Sequence, residues 1–162
     1  GKLDTTLGGP CIFPELPAEL TKLSSRGLAW PVSARESERN RRSLYVFTRR
    51  NLRFPFFEVF DRPDTNASCP KRPTSTIAPQ ALTMLNSKAA RDAAHGLAER
   101  IRGESSGNPS ARVDRAFRIA LGRPPLVEER EAATAFLAEG GMESFEDFCL
   151  ALLNLNEFVY ID

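Results

Sequence analysis

The clearest structural signal in the chain is the stretch "NPSARVDRAFRIALGRPPLVEEREAATAFLAEGG", residues 108–141. Asn108 is a favoured N-cap residue, and Pro109 suits the first position of a helix. Apolar side chains then recur every three or four residues as far as Leu121, which predicts an amphipathic helix. Gly122 can take the left-handed conformation that ends many helices. A second helix follows a pair of prolines, has acidic residues in its first turn, and ends at a pair of glycines.

The same kind of pattern covers the rest of residues 76–162, which we predict to be a series of short helices. One helix runs from Pro79 to about Asn86, and the next runs from Lys88 to Gly103. The last long helix is apolar over most of its circumference, so we expect it at the centre of the core. Ser144 and Asp147 at its start resemble a capping box. Its apolar residues are Phe145, Phe148, Cys149, Leu152 and Leu153.

Residues 1–75 have a different character, because proline, glycine and arginine interrupt any helical period. The most convincing strand is Ser43–Arg50, whose run "LYVF" is apolar on both faces and therefore predicts a strand covered on both sides. The four phenylalanines of residues 54–60 predict a short helix or turn. We therefore predict a mainly α fold: a compact bundle of four or five short helices with an irregular, proline-rich N-terminal layer and one or two short strands.

We expect a single domain over residues 1–162, with 1–75 as the irregular layer and 76–162 as the helical part, and we expect it to be the C-terminal piece of a longer protein. The formal net charge is +1, but residues 1–73 carry 13 basic and 8 acidic residues, whereas residues 109–162 carry 5 and 10. Near-zero net charge without a nucleic-acid-binding signature argues against a nucleic-acid partner. No apolar run is long enough for a membrane span, and the N-terminal residues lack a signal peptide.

The segment "RNRRSLYVFTRRNLRFP", residues 39–55, contains six arginines and no acid. We interpret it as a buried strand with arginines at both ends, some of them paired with acidic helices. Arginines that stay exposed could bind an acidic polysaccharide or an acidic protein face, because a guanidinium forms paired hydrogen bonds with carboxylate and sulfate groups. The alternative function is thus an anion- or carbohydrate-binding surface on residues 35–53. Its candidate residues are Arg41, Arg42, Arg49, Arg50, Arg53 and Arg72.

The segment "FDRPDTNAS" is the best candidate metal site, because Asp61, Asp64 and Asn66 offer oxygen ligands for calcium. The competing interpretation is a turn whose side chains bond to the local backbone. Asp61, Asp64 and Glu58 would be the acids of a hydrolase, but no groove is indicated, and His95 is the only histidine. We expect His95 to be solvated or paired along its helix. We therefore favour a protein that is not an enzyme.

The three cysteines do not form a complete disulfide framework or a zinc motif. Cys149 lies among apolar residues, where we expect a buried free thiol. Cys11 and Cys69 could pair in an oxidising compartment. No CxxCH motif is present, so we predict that this chain binds no haem itself.

Several segments in order resemble a known family: "WPVS", "RRSLYVFTRRN", "FEVFDRPDTNASCPKRPTSTIAPQALTMLNS", "RAFRIALGRPPLVEER" and "LALLNLNEFVYID". Together they are similar to the C-terminal domain of large planctomycete multidomain envelope proteins, catalogued as domain of unknown function 1553. The resemblance implies an exported protein of a periplasm-like compartment or cell envelope. It also implies a cytochrome-c-like haem domain upstream and an association with polysaccharide breakdown. No catalytic residue is established for the family, so the resemblance assigns none.

The tail of the chain, from "ALGRPPLVEER" to "LALLNLNEF", also resembles a helical module of other extracellular bacterial proteins, and it contains a structural motif near the C-terminus. We expect Gly122 and Pro124 to end one helix, and Arg123 to reach either the free carbonyls of that helix or a late-chain carboxylate. Asn154, Asn156 and Glu157 are expected to hold the last turn. These features favour a non-catalytic structural or interaction domain that positions other domains of its parent protein or a protein partner.

Overall fold

A computed structural model of the chain describes residues 1–17, 20, 30–49, 52, 54–63, 68, 75, 77–105, 107–140 and 144–160. The chain forms two compact units, Lys2–Ser75 and Thr76–Asp162. The boundary falls where the character of the sequence changes. The predicted mainly α fold is confirmed, because helices dominate and the described residues form isolated bridges in place of a sheet.

The described residues of the N-terminal unit contain little regular structure. It has helix α1 (Glu36–Arg39), a 3-10 turn (Ser43–Tyr45) and helix α2 (Pro55–Val59). Three isolated bridges join extended segments, and they pair Asp4 with Arg41, Ile12 with Val46, and Arg49 with Leu52. The predicted short helix or turn in the phenylalanine-rich segment is therefore present as α2.

The prediction of a buried strand over Ser43–Arg50 is wrong. The backbone N–H of Tyr45 donates to the carbonyl of Arg42 at 2.9 Å, which closes a 3-10 turn where the strand was expected. Leu44 is 80% exposed. Within this stretch the structure has isolated bridges, one around Val46, through the N–H and C=O of Ile12, and one between Arg49 and Leu52. The pleated geometry that the residue types favour is lost because the backbone turns at Tyr45.

The helical unit contains α3 (Ala78–Asn86), α4 (Lys88–Glu104), α5 (Pro109–Leu121), α6 (Val127–Glu139), α7 (Ser144–Leu153) and the single turn α8 (Asn156–Val159). The helix ends follow local chemistry. Asn108 accepts a hydrogen bond from the N–H of Ser110 at 2.9 Å, and Pro109 begins α5. Gly122 has a φ of 71°, the left-handed exit that the sequence predicts.

The core of the helical unit is apolar and lies mainly between α4 and α7. The sequence-based expectation for α7 is confirmed, because its apolar residues are buried. Ile101 and Cys149 are fully buried, and burial raises the pKa of the Cys149 thiol to about 12. The other core residues include Leu97, Ala98, Val113, Ala116, Phe117, Phe148 and Leu152. No described helix is long and apolar enough to cross a membrane.

Candidate functional site

Arg41 is part of the framework of the N-terminal unit. Its guanidinium donates hydrogen bonds to the carbonyls of Thr6 (2.8 Å), Pro10 (3.2 Å) and Gly8. The same group lies 3.7 Å from the centre of the Tyr45 ring, and the side chain is only 7% exposed. Gly8 has a φ of 75°, a conformation that glycine adopts without strain. Arg41 therefore holds the loop of residues 6–10 and has little surface left for a partner.

The neighbouring arginines also have partners in the same unit. Arg39 donates to the carbonyl of Ser33 at 2.8 Å, and Arg35 lies 2.6 Å from Glu38. Arg42 is exposed and lies 6.0 Å from the Tyr45 ring centre. A hydrogen bond from the Gly8 N–H and the nearby Arg42 lower the pKa of Tyr45. Arg49 forms the bridge to Leu52, and Arg50, Arg53 and Arg72 lie outside the described residues.

Asp61 of the candidate metal site is bonded within its own unit. Its carboxylate accepts hydrogen bonds from the N–H of Ser75 at 2.6 Å and from its hydroxyl at 2.8 Å. Asp64 and Asn66 lie outside the described residues. Among the residues that can be described, no group of three histidines, cysteines or acids is placed to hold a metal ion. The Asp61 carboxylate thus bonds to a residue fourteen positions later in the same unit.

His95 has a partner on another helix. Its Nδ1 lies 3.1 Å from the carboxylate of Glu146 on α7, and the imidazole is about half exposed. Arg102 approaches the same carboxylate at 3.4 Å and also bonds to Glu99 at 2.8 Å. His95 and Arg102 lower the pKa of Glu146 through hydrogen bonds. The cluster connects α4 to α7, whereas the sequence predicted a His95 that is solvated or paired along its own helix.

Arg123 forms a polar cluster with two carboxylates in the helical unit. It donates to Glu129 through two nitrogens at 2.8 Å and to Glu157 through two nitrogens at 2.8 Å. These bonds lower the pKa of Glu129 to about 2, and that carboxylate also accepts from the Leu126 N–H at 2.7 Å. They raise the pKa of Arg123 itself. Arg123 thus connects the start of α6 to α8, through the late-chain carboxylate that was one of its two expected partners.

The other residues of the predicted C-terminal motif support the backbone. Asn154 donates to the carbonyl of Leu150 at 2.7 Å and to that of Met84 at 3.4 Å. Asn156 begins α8, and its carbonyl accepts from the N–H of Tyr160 at 2.8 Å. The carbonyl of Pro124 accepts from Arg123 at 3.1 Å. The contacts of Asn154 join the end of α7, just before the last turn, to α3.

An apolar groove lies beside this cluster, between α6 and α7, with a volume of about 310 Å³. We call it the α6–α7 groove. Its residues are Phe117, Glu129, Ala133, Phe136, Asp147, Phe148, Ala151, Leu152 and Leu155. The volume lies at the lower end of the ~300–1,000 Å³ range of ligand sites. The groove is open along one side, since Phe136 is 47% exposed and Leu155 is 38% exposed.

The residues on the two walls explain the concave shape of the groove. Glu129, Ala133 and Phe136 follow each other at helical spacing, so they share one face of α6. Ala151 lies on the facing helix, α7. A small alanine near the middle of each wall leaves space between the larger side chains at the ends. Sequence reasoning missed this site because the apolar residues of α6 do not gather on one side of the helix.

The two ends of the groove can be distinguished. Gly140, just after α6, is so close to Ser144 that an added Cβ atom would lie 2.3 Å from the Ser144 Cβ. The end of α6 therefore meets the start of α7, and Phe136 and Asp147 belong to that end. At the opposite end, Arg123 joins Glu129 to α8.

The carboxylates of the groove differ in their bonding. Glu129 has its charge balanced by Arg123 at 2.8 Å. Asp147 is exposed, and no cation or hydrogen-bond donor within the described ranges contacts it. An aspartate is ionised at neutral pH. Among the described residues, the Asp147 carboxylate at the end of the groove near Phe136 therefore has no bonded cation.

A family model described as a protein of unknown function (PSD1, DUF1553) matches residues 1–137. The chain belongs to the DUF1553 family. The match confirms the resemblance to domain of unknown function 1553 and covers the N-terminal unit and the helical unit almost to the end of α6. Neither a curated protein nor a solved structure matches the chain. In this DUF1553 chain, the α6 wall of the groove lies within the matched residues and the α7 wall lies beyond them.

Proposed function

We propose that this DUF1553 chain is a non-catalytic interaction domain, and that its helical unit binds an apolar polypeptide segment in the α6–α7 groove. The parent protein is an exported multidomain protein linked to redox or polysaccharide processing, and any haem belongs to a domain upstream of this chain. These last points rest on the family resemblance. The proposal that the chain binds a polypeptide segment is based on the groove.

The observation that supports binding is an open apolar groove with exposed side chains at its rim. Phe136 and Leu155, which both border the groove, are 47% and 38% exposed. Exposed apolar surface beside a groove is typical of interaction sites in folded proteins. Covering it removes apolar area from water, at about 25 cal/mol per Å². A partner that fills the groove would therefore be held mainly by burial of apolar surface.

The charge at the rim supports a polypeptide over a fatty acid or another anionic lipid. Asp147 lies at the end of the groove that Phe136 borders. A ligand carboxylate beside Asp147 would be repelled, since like charges at short distance raise the free energy of the complex. A polypeptide can place apolar side chains in the groove and keep its own acidic residues outside.

Several polar groups that the sequence offered for catalysis have structural partners. His95 is paired with Glu146 at 3.1 Å, and the Asp61 carboxylate accepts two hydrogen bonds from Ser75. A general base must be placed beside the group from which it takes a proton. Binding of these residues to the framework supports a non-catalytic role.

Arg41 is the central residue of the alternative, an anion-binding surface. Its guanidinium is bonded to three carbonyls and stacked on Tyr45, which argues against its binding an anion. Arg42 is the exposed arginine beside it. Binding of heparin would test the alternative. Affinity that falls steeply with salt and is lost in Arg42→Glu would support an anionic partner.

The proposed function is tested by selection of peptides from a displayed random library on the immobilised chain. Each selected peptide is then measured against two variants, Phe136→Glu in the groove and Leu82→Glu on α3. Leu82 is 58% exposed and does not border the groove, so it is a matched control. We expect apolar peptides whose affinity falls at least about tenfold in Phe136→Glu and is unchanged in Leu82→Glu. Selection without peptides, or peptides that bind Phe136→Glu as well as wild type, would overturn the proposal.

A further inference from the structure

We infer that the segment bound in the α6–α7 groove is an amphipathic helix of about two turns with one basic side chain that pairs with Asp147. This inference rests on the proposed function and adds the conformation and charge of the partner. It is argued from the length of the groove, from the shape of its walls and from the different bonding of its two carboxylates.

The length of the groove favours a helical partner. Glu129 and Phe136 border it on α6, and they are seven residues apart, or about 10 Å along a helix axis. A partner helix presents side chains at i, i+3 or i+4, and i+7 on one face, so its anchors span the same ~10 Å. An extended segment of that length holds about three residues, of which alternate side chains point away from the groove. A helix therefore places more apolar side chains in the groove.

The walls also fit a helix. A small alanine lies on each wall, Ala133 on α6 and Ala151 on α7, among larger lining side chains such as Phe136 and Leu155. Phe117, Phe148 and Leu152 are nearly fully buried and form an apolar floor. Leucine-sized side chains from one face of a helix fill such a depression in the way that side chains of one helix pack between those of another.

The different bonding of the two carboxylates indicates where a basic residue of the partner binds. At one end, Glu129 already receives two hydrogen bonds from Arg123, whose guanidinium also lies 5.6 Å from the centre of the Phe117 ring. At the other end, Asp147 has no partner among the residues that the structure describes. A lysine or arginine on the ligand therefore gains a new ion pair only at the Asp147 end. A second basic residue at the Glu129 end would meet Arg123.

The inference can be tested with synthetic peptides of about 15 residues that carry leucines at i, i+3, i+4 and i+7. Two peptides carry a single lysine, one turn before the first leucine or one turn after the last. Two others carry glutamate at those places. Affinities are measured by fluorescence anisotropy for wild type, for Asp147→Lys and for the control Glu131→Lys. Glu131 is exposed on α6, does not border the groove, and gives the same change in net charge.

We expect one lysine peptide to bind wild type about fivefold more tightly than its glutamate counterpart, as for an exposed ion pair. Asp147→Lys should reverse that preference, whereas Glu131→Lys should leave its direction unchanged. A version of the peptide with proline at a central position cannot stay helical and should lose binding.

The outcomes separate this inference from the proposed function. If the peptides bind, lose affinity in Phe136→Glu, but show no charge preference that depends on Asp147, the basic residue is wrong and the groove remains a binding site. Equal binding of the proline peptide would overturn the helical conformation. If no peptide shows binding that depends on Phe136, both the inference and the proposed function are overturned.

Discussion

Each of the two units of this chain is stabilised internally by a different kind of interaction. In the helical unit, large apolar side chains such as Ile101, Val113 and Phe148 form a continuous core. In the N-terminal unit, the described residues include few buried apolar side chains, among them Ile12 and Leu52. Much of the order there comes from side chains that bond to the backbone. The difference shows that an arginine-rich stretch can be a framework element where it first suggests a binding surface.

Two details show how the N-terminal unit is ordered. Arg41 gathers three carbonyls of one loop, and the indole N–H of Trp30 donates to the carbonyl of Pro14 at 2.7 Å. Phe13 and Trp30 pack edge to face, with ring centres 5.2 Å apart. These are specific, directional contacts, so conservative changes should disturb this unit more than they would disturb an apolar core.

The largest expected effect is the loss of core volume in the helical unit. Ile101→Ala removes a fully buried side chain from α4, and the cavity and lost transfer energy should lower the free energy of unfolding by about 2–5 kcal/mol. Urea unfolding followed by far-ultraviolet circular dichroism measures this loss. The exposed residue Leu82 gives the control, Leu82→Ala, which should change stability by about 0.5 kcal/mol or less. Similar losses for both variants would contradict the apolar-core description.

Arg41→Lys should have the next largest effect and should act on the N-terminal unit. Lysine keeps the charge but cannot donate to three carbonyls and stack on Tyr45 at once. We expect a loss of about 1.5–3 kcal/mol, the range for hydrogen bonds to a charged group. Trp30 is the only tryptophan and lies in this unit, so its fluorescence reports the unfolding. Arg42→Lys is the control, and a loss equal to that of Arg41→Lys would contradict a special contribution from the Arg41 contacts to the carbonyls and to Tyr45.

A close backbone approach gives a third test, within the helical unit. Gly140→Ala would bring a Cβ to 2.3 Å from the Ser144 Cβ, and relief of that clash should cost about 1–3 kcal/mol. A Cβ added at Gly103 in α4 would instead enter open space, so Gly103→Ala should be neutral or stabilise by up to about 1 kcal/mol. Thermal unfolding of the two variants measures the difference. Gly140→Ala is expected to destabilise the chain and Gly103→Ala is not, so equal shifts would contradict the close approach of Gly140 to Ser144.

The smallest effect is electrostatic and depends on pH. The pKa of Glu129 is lowered from 4.5 to about 2 in the folded chain, first by Arg123 and then by the Leu126 N–H. The carboxylate therefore stabilises the fold above pH 4.5, and this contribution is lost as the pH falls toward 2. Glu129→Gln should be less stable than wild type at neutral pH, and the difference should narrow as the solution is acidified. Urea unfolding at several pH values, with Glu131→Gln as control, checks this trend; a constant difference would contradict it.

Local signals predicted the helical unit well. Asn108, Pro109 and Gly122 act on the few residues around them, so capping and backbone preference place the ends of α5 without knowledge of the rest of the chain. The prediction of a strand at Ser43–Arg50 was wrong for the opposite reason. Its residue types favour extended structure, but the 3-10 turn depends on Tyr45, which accepts from Gly8 and stacks on Arg41. Such partners are distant in sequence, and strand preference depends strongly on tertiary context.

The candidate site shows the same division. The amino-acid sequence by itself determined the helices, the central position of α7 and the acidic and basic segments, because these follow from side-chain periodicity and local capping. Only the tertiary structure decided that Arg41 donates hydrogen bonds to backbone carbonyls and that Arg123 joins Glu129 and Glu157. It also decided that Asp147 borders an open groove. The physical reason is that these roles depend on distances between elements. Periodicity shows which face of a helix is apolar, but the packing of neighbouring helices decides how much of that face is covered.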